Sequence, residues 1–300
     1  MDVSEEPQLI HKKTYYLAAF SAMASPCELL IETDDIQRAQ AIQNICYQEV
    51  KRIEHKFSRY IKGNLCDRLN TAMGETVDID EECYKLLTFA DACYTLSSGM
   101  FDITSGVLRR IWKFDGSDKI PSQSQIDQIL PDIGWEKIRY SNQSLTMKKD
   151  MEIDFGGIGK EYAVSRTAQL CREQFPETSV LVNLGGDIEI SVPRKNNEVW
   201  TVGVEDPTAS DKTQGVLTIR EGALATSGDS KRFLRRGKKK YSHILNPKTG
   251  WPVPGAPSSV TVAAQVCIQA GCLATIALLN GKNAEAFLQQ QEVKYWCSAT

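Results

Sequence analysis

Five stretches of the 300-residue chain set chemically useful side chains in turns or at helix starts. The first is Ile153-Asp154-Phe155-Gly156-Gly157-Ile158-Gly159-Lys160-Glu161-Tyr162-Ala163, read as a strand running into a glycine-rich turn and then a helix. Its glycines let a backbone approach a ligand closely, and a helix beginning near Gly159 would aim free N–H groups at an anion. Lys160, in the first turn, adds a positive charge where a phosphate would sit. The spacing is neither a G-x-G-x-x-G nor a P-loop, so a tight strand–helix turn without a ligand is the plainer reading of this stretch alone.

The second stretch, Asn183-Leu184-Gly185-Gly186-Asp187, ends a β-run in paired glycines and a carboxylate. The third, Ala225-Thr226-Ser227-Gly228-Asp229-Ser230, reads as a turn of small hydroxylated residues with one acid. Such a turn can hydrogen-bond a nucleotide or simply close a loop. The fourth is His243-Ile244-Leu245-Asn246-Pro247-Lys248-Thr249-Gly250; the other histidines are His11 and His55, and His243 alone sits in a polar, turn-forming motif. The fifth is helical, Ala270-Gly271-Cys272-Leu273-Ala274-Thr275. Gly271 and Thr275 are four apart and share a face. A helical glycine costs about 1 kcal/mol relative to alanine, so a packing or site reason is expected there.

These stretches need a scaffold. A strand is expected at 27–32, then a helix from about Asp35 to Phe57 with Ile42, Ile45, Cys46, Val50 and Ile53 at helical spacing. A second helix fits 80–97, and 114–133 reads as an irregular excursion with one short helix. The second half carries short β-runs (VLVNLG, IEISV, VWTVGV, GVLTIR, KKYSHIL, SSVTVAA) interrupted by helices at about 158–174 and 267–280. Strand and helix do not alternate regularly, which favours an α+β fold with mostly antiparallel strands over a doubly wound parallel sheet. The organisation expected is an N-terminal extension, 1–20, before a single domain, 21–300.

Composition sets further bounds. Thirty-five Lys+Arg against 38 Asp+Glu give a net charge of −3, which excludes a globally basic nucleic-acid binder. Seven basic residues in Lys231–Lys240 read as a hairpin with a basic tip near Arg236-Gly237: a solvated loop, or a dock for an acidic partner or phosphorylated ligand. No apolar run is long enough to span a bilayer, and the acidic start Met1-Asp2-Val3-Ser4-Glu5-Glu6 has no signal-peptide pattern. A cytoplasmic location is expected. Nine cysteines with no C-x-x-C pair read as buried thiols rather than a disulfide framework or a zinc knuckle.

Taken in order, the motifs resemble those of the ApbE family of flavin transferases. The resemblance runs from about Met23 to Ala277. It adds Ser58-Arg59-Tyr60, Arg68-Leu69-Asn70, Ser98-Gly99-Met100-Phe101-Asp102 and Gly134-Trp135 to the stretches above. It implies a T-fold-like ApbE architecture and an FAD:protein FMN transferase. Such an enzyme uses Mg²⁺ to move FMN from FAD to a Thr or Ser hydroxyl of an acceptor flavoprotein, releasing AMP. It further implies FAD contacts from Met23, Tyr60, Met100, Phe101, Asp102 and Lys160, with Asp187, Ser227, Gly228, Asp229 and Thr249 as further candidates. His243 is then the expected base, or the group that orients the acceptor, because an imidazole titrates near neutral pH.

The chain departs from the family pattern at the metal. The family motif Ala-Asp-Ala-Leu-Ala-Thr provides an acid and a Thr one turn apart; here the acid's place is Gly271, while Thr275 remains. Mg²⁺ wants hard oxygen ligands including one or two carboxylates. Thr275 and a backbone carbonyl near Gly159 alone would make a feeble site. Either Asp229 or Asp187 substitutes, or the protein binds FAD with weak or no transfer. An FAD pyrophosphatase, with water as acceptor, would share the site. An aspartate introduced at Gly271 is expected to restore the ligand pair. Ser165 stands where an acid is common, and the lipoprotein signal frequent in the family is missing from this sequence.

Overall fold

The structure, a computed structural model, describes residues 7–206, 209–228, 233–237 and 239–298. The chain opens with β1 (Gln8–His11), β2 (Tyr16–Ala22) and β3 (Ser25–Ile31), then α1 (Ile36–Phe57), α2 (Leu65–Asn70), β4 (Thr76–Asp78) and α3 (Glu81–Leu96). A 3-10 segment, Ile103–Arg110, and α4 (Gln123–Ile129) precede the short strands β5 (Arg139–Tyr140) and β6 (Ser144–Thr146). Next come α5 (Gly159–Gln174), β7 (Val180–Leu184), β8 (Asp187–Ile190), β9 (Trp200–Asp206), β10 (Ala209–Ile219) and β11 (Ala223–Gly228). The chain ends with β12 (Phe233–Arg236), β13 (Lys239–Ser242), β14 (Ser259–Ala264), α6 (Cys267–Leu279), α7 (Ala284–Gln290) and β15 (Lys294–Ser298).

Among the described residues, eight strands form one sheet in the order β1-β2-β3-β7-β8-β11-β14-β15, antiparallel at every pairing. The fold is α+β, as the irregular alternation of strand and helix suggested. Residues 8–11 and 16–19, expected within an N-terminal extension, pair at one edge of this sheet. The β9/β10 and β12/β13 hairpins and a small β4-β6-β5 sheet lie beside it. The basic hairpin pairs Arg235 with Lys240 and Arg236 with Lys239, while Lys231, Arg232 and Lys238 fall outside the described residues.

Local sequence explains the layers. In β2, Tyr16, Ala18, Phe20 and Ala22 are buried while the residues between them are half-buried, the period-two pattern of a strand with one face on a core. Asp35 caps α1 by accepting from the N–H groups of Gln37 and Arg38, and Ala39, Ile42, Cys46, Val50, Ile53 and Phe57 form its buried stripe. That stripe meets α5, where Cys46 Sγ lies 3.3 Å from Cys171 Sγ. Helix α6 is apolar on nearly all sides because it is sandwiched between α5 and strands β11 and β14. All nine cysteines are free thiols, eight of them buried, as the spacing predicted.

Two readings change. Ala225-Thr226-Ser227-Gly228 is not a closing turn but the end of β11, paired with β14 from Thr226↔Thr261 to Gly228↔Ser259. Small hydroxylated residues suit a strand whose neighbour and covering helix approach closely. Ile153-Asp154 is no strand of a sheet either. Asp154 instead accepts from Gly156 N–H at 2.8 Å and caps the 3-10 turn Phe155–Gly157, so the run into α5 is turn after turn. Finally, no helix among the described residues is long and apolar enough to cross a membrane.

Candidate functional site

Two chain reversals bring expected residues towards the start of α5. The β7–β8 turn, Gly185-Gly186, presents Asp187 at the first position of β8. Gly185 has φ 62°, and a Cβ there would lie 2.7 Å from Ser25 Cβ, so the β2–β3 turn bearing Met23 closes tightly over it. Met23 itself has φ 52°, and its N–H donates to Glu54 Oε1 at 2.6 Å, tying that turn to α1.

Asp187 is 1% exposed. Its Oδ2 takes the Lys160 ammonium, and its Oδ1 accepts Thr226 N–H at 3.0 Å. Burial works against the Lys160 charge, but the Asp187 carboxylate raises its pKa above the ordinary lysine range. At the far end of β11, Ser227 and Thr275 share a hydroxyl hydrogen bond of 2.8 Å. Lys160, Asp187, Ser227 and Thr275 therefore gather around α5 and α6, with Gly159 at the first position of α5 and Gly228 one residue beyond Ser227.

Glu161 is the residue that sequence reading passed over. It is 7% exposed, in the first turn of α5, and its side chain lies across the backbone of α6 at Gly271. A Cβ built at Gly271 would come 2.4 Å from Glu161 Cγ. The helical glycine thus has its packing reason, and an aspartate simply added at 271 would collide with Glu161. That corrects the expectation for position 271. Among the described residues, the buried Glu161 Oε2 has no hydrogen-bond partner. Burial, then the Asp187 carboxylate beside it, pushes the Glu161 carboxyl well above the usual range. The signal was present in the sequence: a helical glycine calls for a large neighbour, and Glu161 follows Lys160 directly. Of the two substitute acids expected, Asp187 is in this cluster and Asp229 lies outside the described residues.

The α6 N-terminus is held from the side. Glu189, fully buried, accepts Cys267 N–H at 2.8 Å and Arg172 Nη2 at 2.9 Å, and Ser165 Oγ donates to its Oε2 at 2.7 Å. Ser165 Oγ in turn accepts Ile268 N–H at 3.1 Å. Ser165, which departs from the family's acid, thus caps a helix together with Glu189.

The remaining candidates lie on other segments, each with partners of its own. The Phe101 ring packs against Gly157, 3.3 Å from where a Cβ would stand, and Met100 is half-buried beside it in the chain. Asp102 is committed to local structure, accepting from Thr104 N–H at 2.8 Å, Thr104 Oγ1 at 2.7 Å and Trp135 N–H at 3.1 Å; burial raises its pKa. Tyr60 is 72% exposed, and its hydroxyl accepts from Arg59, which also pairs with Asp154. Lys248 Nζ donates to Ser98 O at 2.9 Å and brings the loop of Thr249 to the Met100 turn. His243 is half-buried and meets Phe114 edge-on at 6.2 Å between ring centroids. Among the described residues, no three His, Cys, Asp or Glu converge as a metal cage.

The profile of the "ApbE family" matches residues 23–297. Curated proteins similar to the chain include FAD:protein FMN transferases from Haemophilus influenzae, Chlamydia pneumoniae and Escherichia coli. The first is 25% identical over 247 residues, 78% of this chain and 71% of its own length. The second is 27% identical over 259 residues (83% and 79%), and the third 25% over 290 (93% and 82%). Among solved structures, the ApbE protein of Thermotoga maritima superposes with TM-score 0.86 at 29% identity, covering 94% of each chain. The flavin transferase ApbE of Vibrio cholerae has the same fold, with TM-score 0.81 at 21% identity and 98% coverage of both.

Proposed function

The chain belongs to the ApbE family, and from that premise we propose that it transfers the FMN portion of FAD to a Thr or Ser hydroxyl of an acceptor flavoprotein, with Mg²⁺ bound and AMP released. The observation that carries this reading is the span of the match. Residues 23–297 take in every motif from the β2–β3 turn to α6, and the curated relatives over that span are named FAD:protein FMN transferases. The convergence of Lys160, Asp187, Ser227 and Thr275 supports it.

In this reaction the acceptor oxygen bonds to the phosphorus on the FMN side, and the bond from that phosphorus to the bridging oxygen breaks. AMP leaves with the electron pair, and the hydroxyl proton passes to a base. Phosphoryl transfer of this kind depends on positioning and charge neutralisation more than on covalent help. Lys160 brings a cation to the pyrophosphate, and Asp187 holds its ammonium in place. N–H groups of the Gly156-Gly157 turn and the start of α5 add donors. Met23, Tyr60, Met100, Phe101 and Thr249 border FAD, Asp102 positions the Met100-Phe101 turn, and Gly228 lets β11 approach. His243 receives the proton or orients the acceptor.

The donor set fits a hard cation: Thr275, the backbone near Gly159, and a buried carboxylate oxygen, Glu161 Oε2, that no donor satisfies. When bound, Mg²⁺ offsets the charge of the pyrophosphate. The test is the intact mass of a Thr-containing acceptor after incubation with FAD, with and without Mg²⁺. The expected result is a Mg²⁺-dependent gain of one FMN with equal AMP. FMN and AMP released without an acceptor would make the protein a pyrophosphatase instead. FAD bound and unconsumed would make it a flavin-binding protein.

A further inference from the structure

We infer that Glu161, reaching from α5 into the space left by Gly271, is the carboxylate ligand of the divalent-cation site, an exchange of positions in which the acid has moved from one helix to its neighbour. The inference rests on the transferase reading for the identity of the cation, but its geometry stands on this chain's own residues.

Three observations carry it. The first is volume. Gly271 sits inside α6 in ordinary helical conformation, yet a Cβ there would lie 2.4 Å from Glu161 Cγ, 3.1 Å from Cδ and 3.2 Å from Oε1. The Glu161 carboxyl therefore lies against the α6 backbone where a side chain at 271 would begin. The second is charge. The nearest ammonium, Lys160 Nζ, is held by Asp187, so a carboxyl group more than nine-tenths buried retains an oxygen with no donor. Such an atom calls for a partner, and a cation supplies one. The third is the company. Thr275 lies one helical turn beyond Gly271 on the same face, with its hydroxyl against Ser227, and Asp187 adjoins Glu161. Two carboxylates and two hydroxyls form an all-oxygen set of the kind that holds Mg²⁺ together with water and substrate phosphate.

Geometry also makes the two positions interdependent. Side chains at 161 and 271 compete for one space, so with Glu161 in place any Cβ at 271 must displace its stem.

The test is Mn²⁺ binding to the full chain, read by electron paramagnetic resonance of free Mn²⁺ and repeated with Mg²⁺ as competitor, with and without FAD. Glu161→Gln keeps the shape and removes the charge. Its Mn²⁺ affinity should fall at least about tenfold, and the rise in melting temperature that Mn²⁺ gives the wild type should vanish. The double exchange Glu161→Gly with Gly271→Asp should recover most of the affinity and serves as the second arm if Glu161→Gln folds poorly. Affinity in Glu161→Gln within twofold of the wild type would overturn the inference, as would a folded double variant that binds no Mn²⁺, or a wild type that binds none with or without FAD. Glu161-dependent Mn²⁺ binding in a protein that transfers no FMN would leave this site standing and remove the transferase reading.

Discussion

Glu189 Oε2 accepts the backbone N–H of Cys267 at 2.8 Å, so a fully buried carboxylate on β8 fixes the first residue of α6. The same carboxylate receives Ser165 and Arg172 from α5. Glu189, together with the Ser165–Ile268 hydrogen bond, ties the start of α6 to α5, the helix that carries Glu161 against Gly271. Glu189→Ala leaves Arg172, the Ser165 hydroxyl and the Cys267 N–H without their acceptor and should destabilise the fold by about 3 kcal/mol. Urea unfolding monitored by circular dichroism measures this. A loss below about 1 kcal/mol would mean that water replaces the carboxylate freely.

Half-buried Lys160 and buried Asp187 are a second ion pair, and two variants separate structure from chemistry. Lys160→Met strands Asp187 and is expected to cost about 3 kcal/mol of stability together with at least about a hundredfold of FMN transfer. Lys160→Met combined with Asp187→Asn removes the stranded charge. It should regain much of the stability but none of the transfer. Recovery of transfer in the double variant would show that the lysine serves only to neutralise Asp187.

Much of this arrangement was legible from residue types. The helical spacing of Ile42, Cys46, Val50 and Ile53, the paired glycines before Asp187 and the spacing of Gly271 and Thr275 all rest on local rules of period and turn and landed where expected, while Ile45 is only half-buried. What local rules do not carry is distance across elements. Glu161 and Gly271 are far apart in sequence, and only the packing of α5 on α6 makes the small residue a partner of the large one. Ala225–Gly228 misled for a related reason: small polar residues signal a turn by propensity, but in β11 they answer to the strand and helix pressed against them. Asp102 and Ser165 gave no sign that their hydrogen bonds would go to backbone groups of other segments.

Thiol chemistry offers a direct check on the core. Eight cysteines are buried and Cys297 is half-buried. Burial raises the Cys27, Cys66 and Cys83 thiols to about 12, so their thiolate fraction at neutral pH is negligible. Native protein treated with a disulfide reagent should react at about one thiol, and unfolded protein at all nine. Rapid loss of three or more native thiols would contradict the packing of α1 against α5 and of α3 against α6.

Gly271→Asp alone should lower stability, opposite to what motif repair suggests. The new Cβ must displace the Glu161 stem, and overpacking of this kind costs about 1–3 kcal/mol. A second buried carboxyl beside Glu161 adds to it. Gly271→Ala isolates the steric part. Calorimetry of the two variants should give melting temperatures in the order wild type, Ala, Asp. An aspartate variant as stable as the wild type would mean that Glu161 swings clear at little cost.

Glu82 gives the fold an acid limit. It accepts from Arg52 at 2.8 and 2.6 Å, Lys56 at 2.5 Å and Tyr162 at 2.7 Å, joining α1, α3 and α5. Burial would raise its pKa, but the hydrogen bonds from Arg52, Lys56 and Tyr162 outweigh this and hold it at about 2, against 4.5 for a free glutamate. Above pH 4.5 both folded and unfolded chains carry the charge, and the stabilisation is complete. As pH falls below 4.5 the unfolded chain takes up the proton first, so stability drains away until about pH 2, where the folded carboxyl also protonates. The Arg52 side chain is 44% exposed, so solvent screening leaves an effect of about 1–2 kcal/mol. Glu82→Gln should therefore be less stable than the wild type by that amount at pH 7, and the two unfolding free energies should draw together from pH 4.5 downward and meet only as pH approaches about 2. Parallel curves between pH 7 and pH 3 would show that the network leaves the glutamate's proton affinity unchanged.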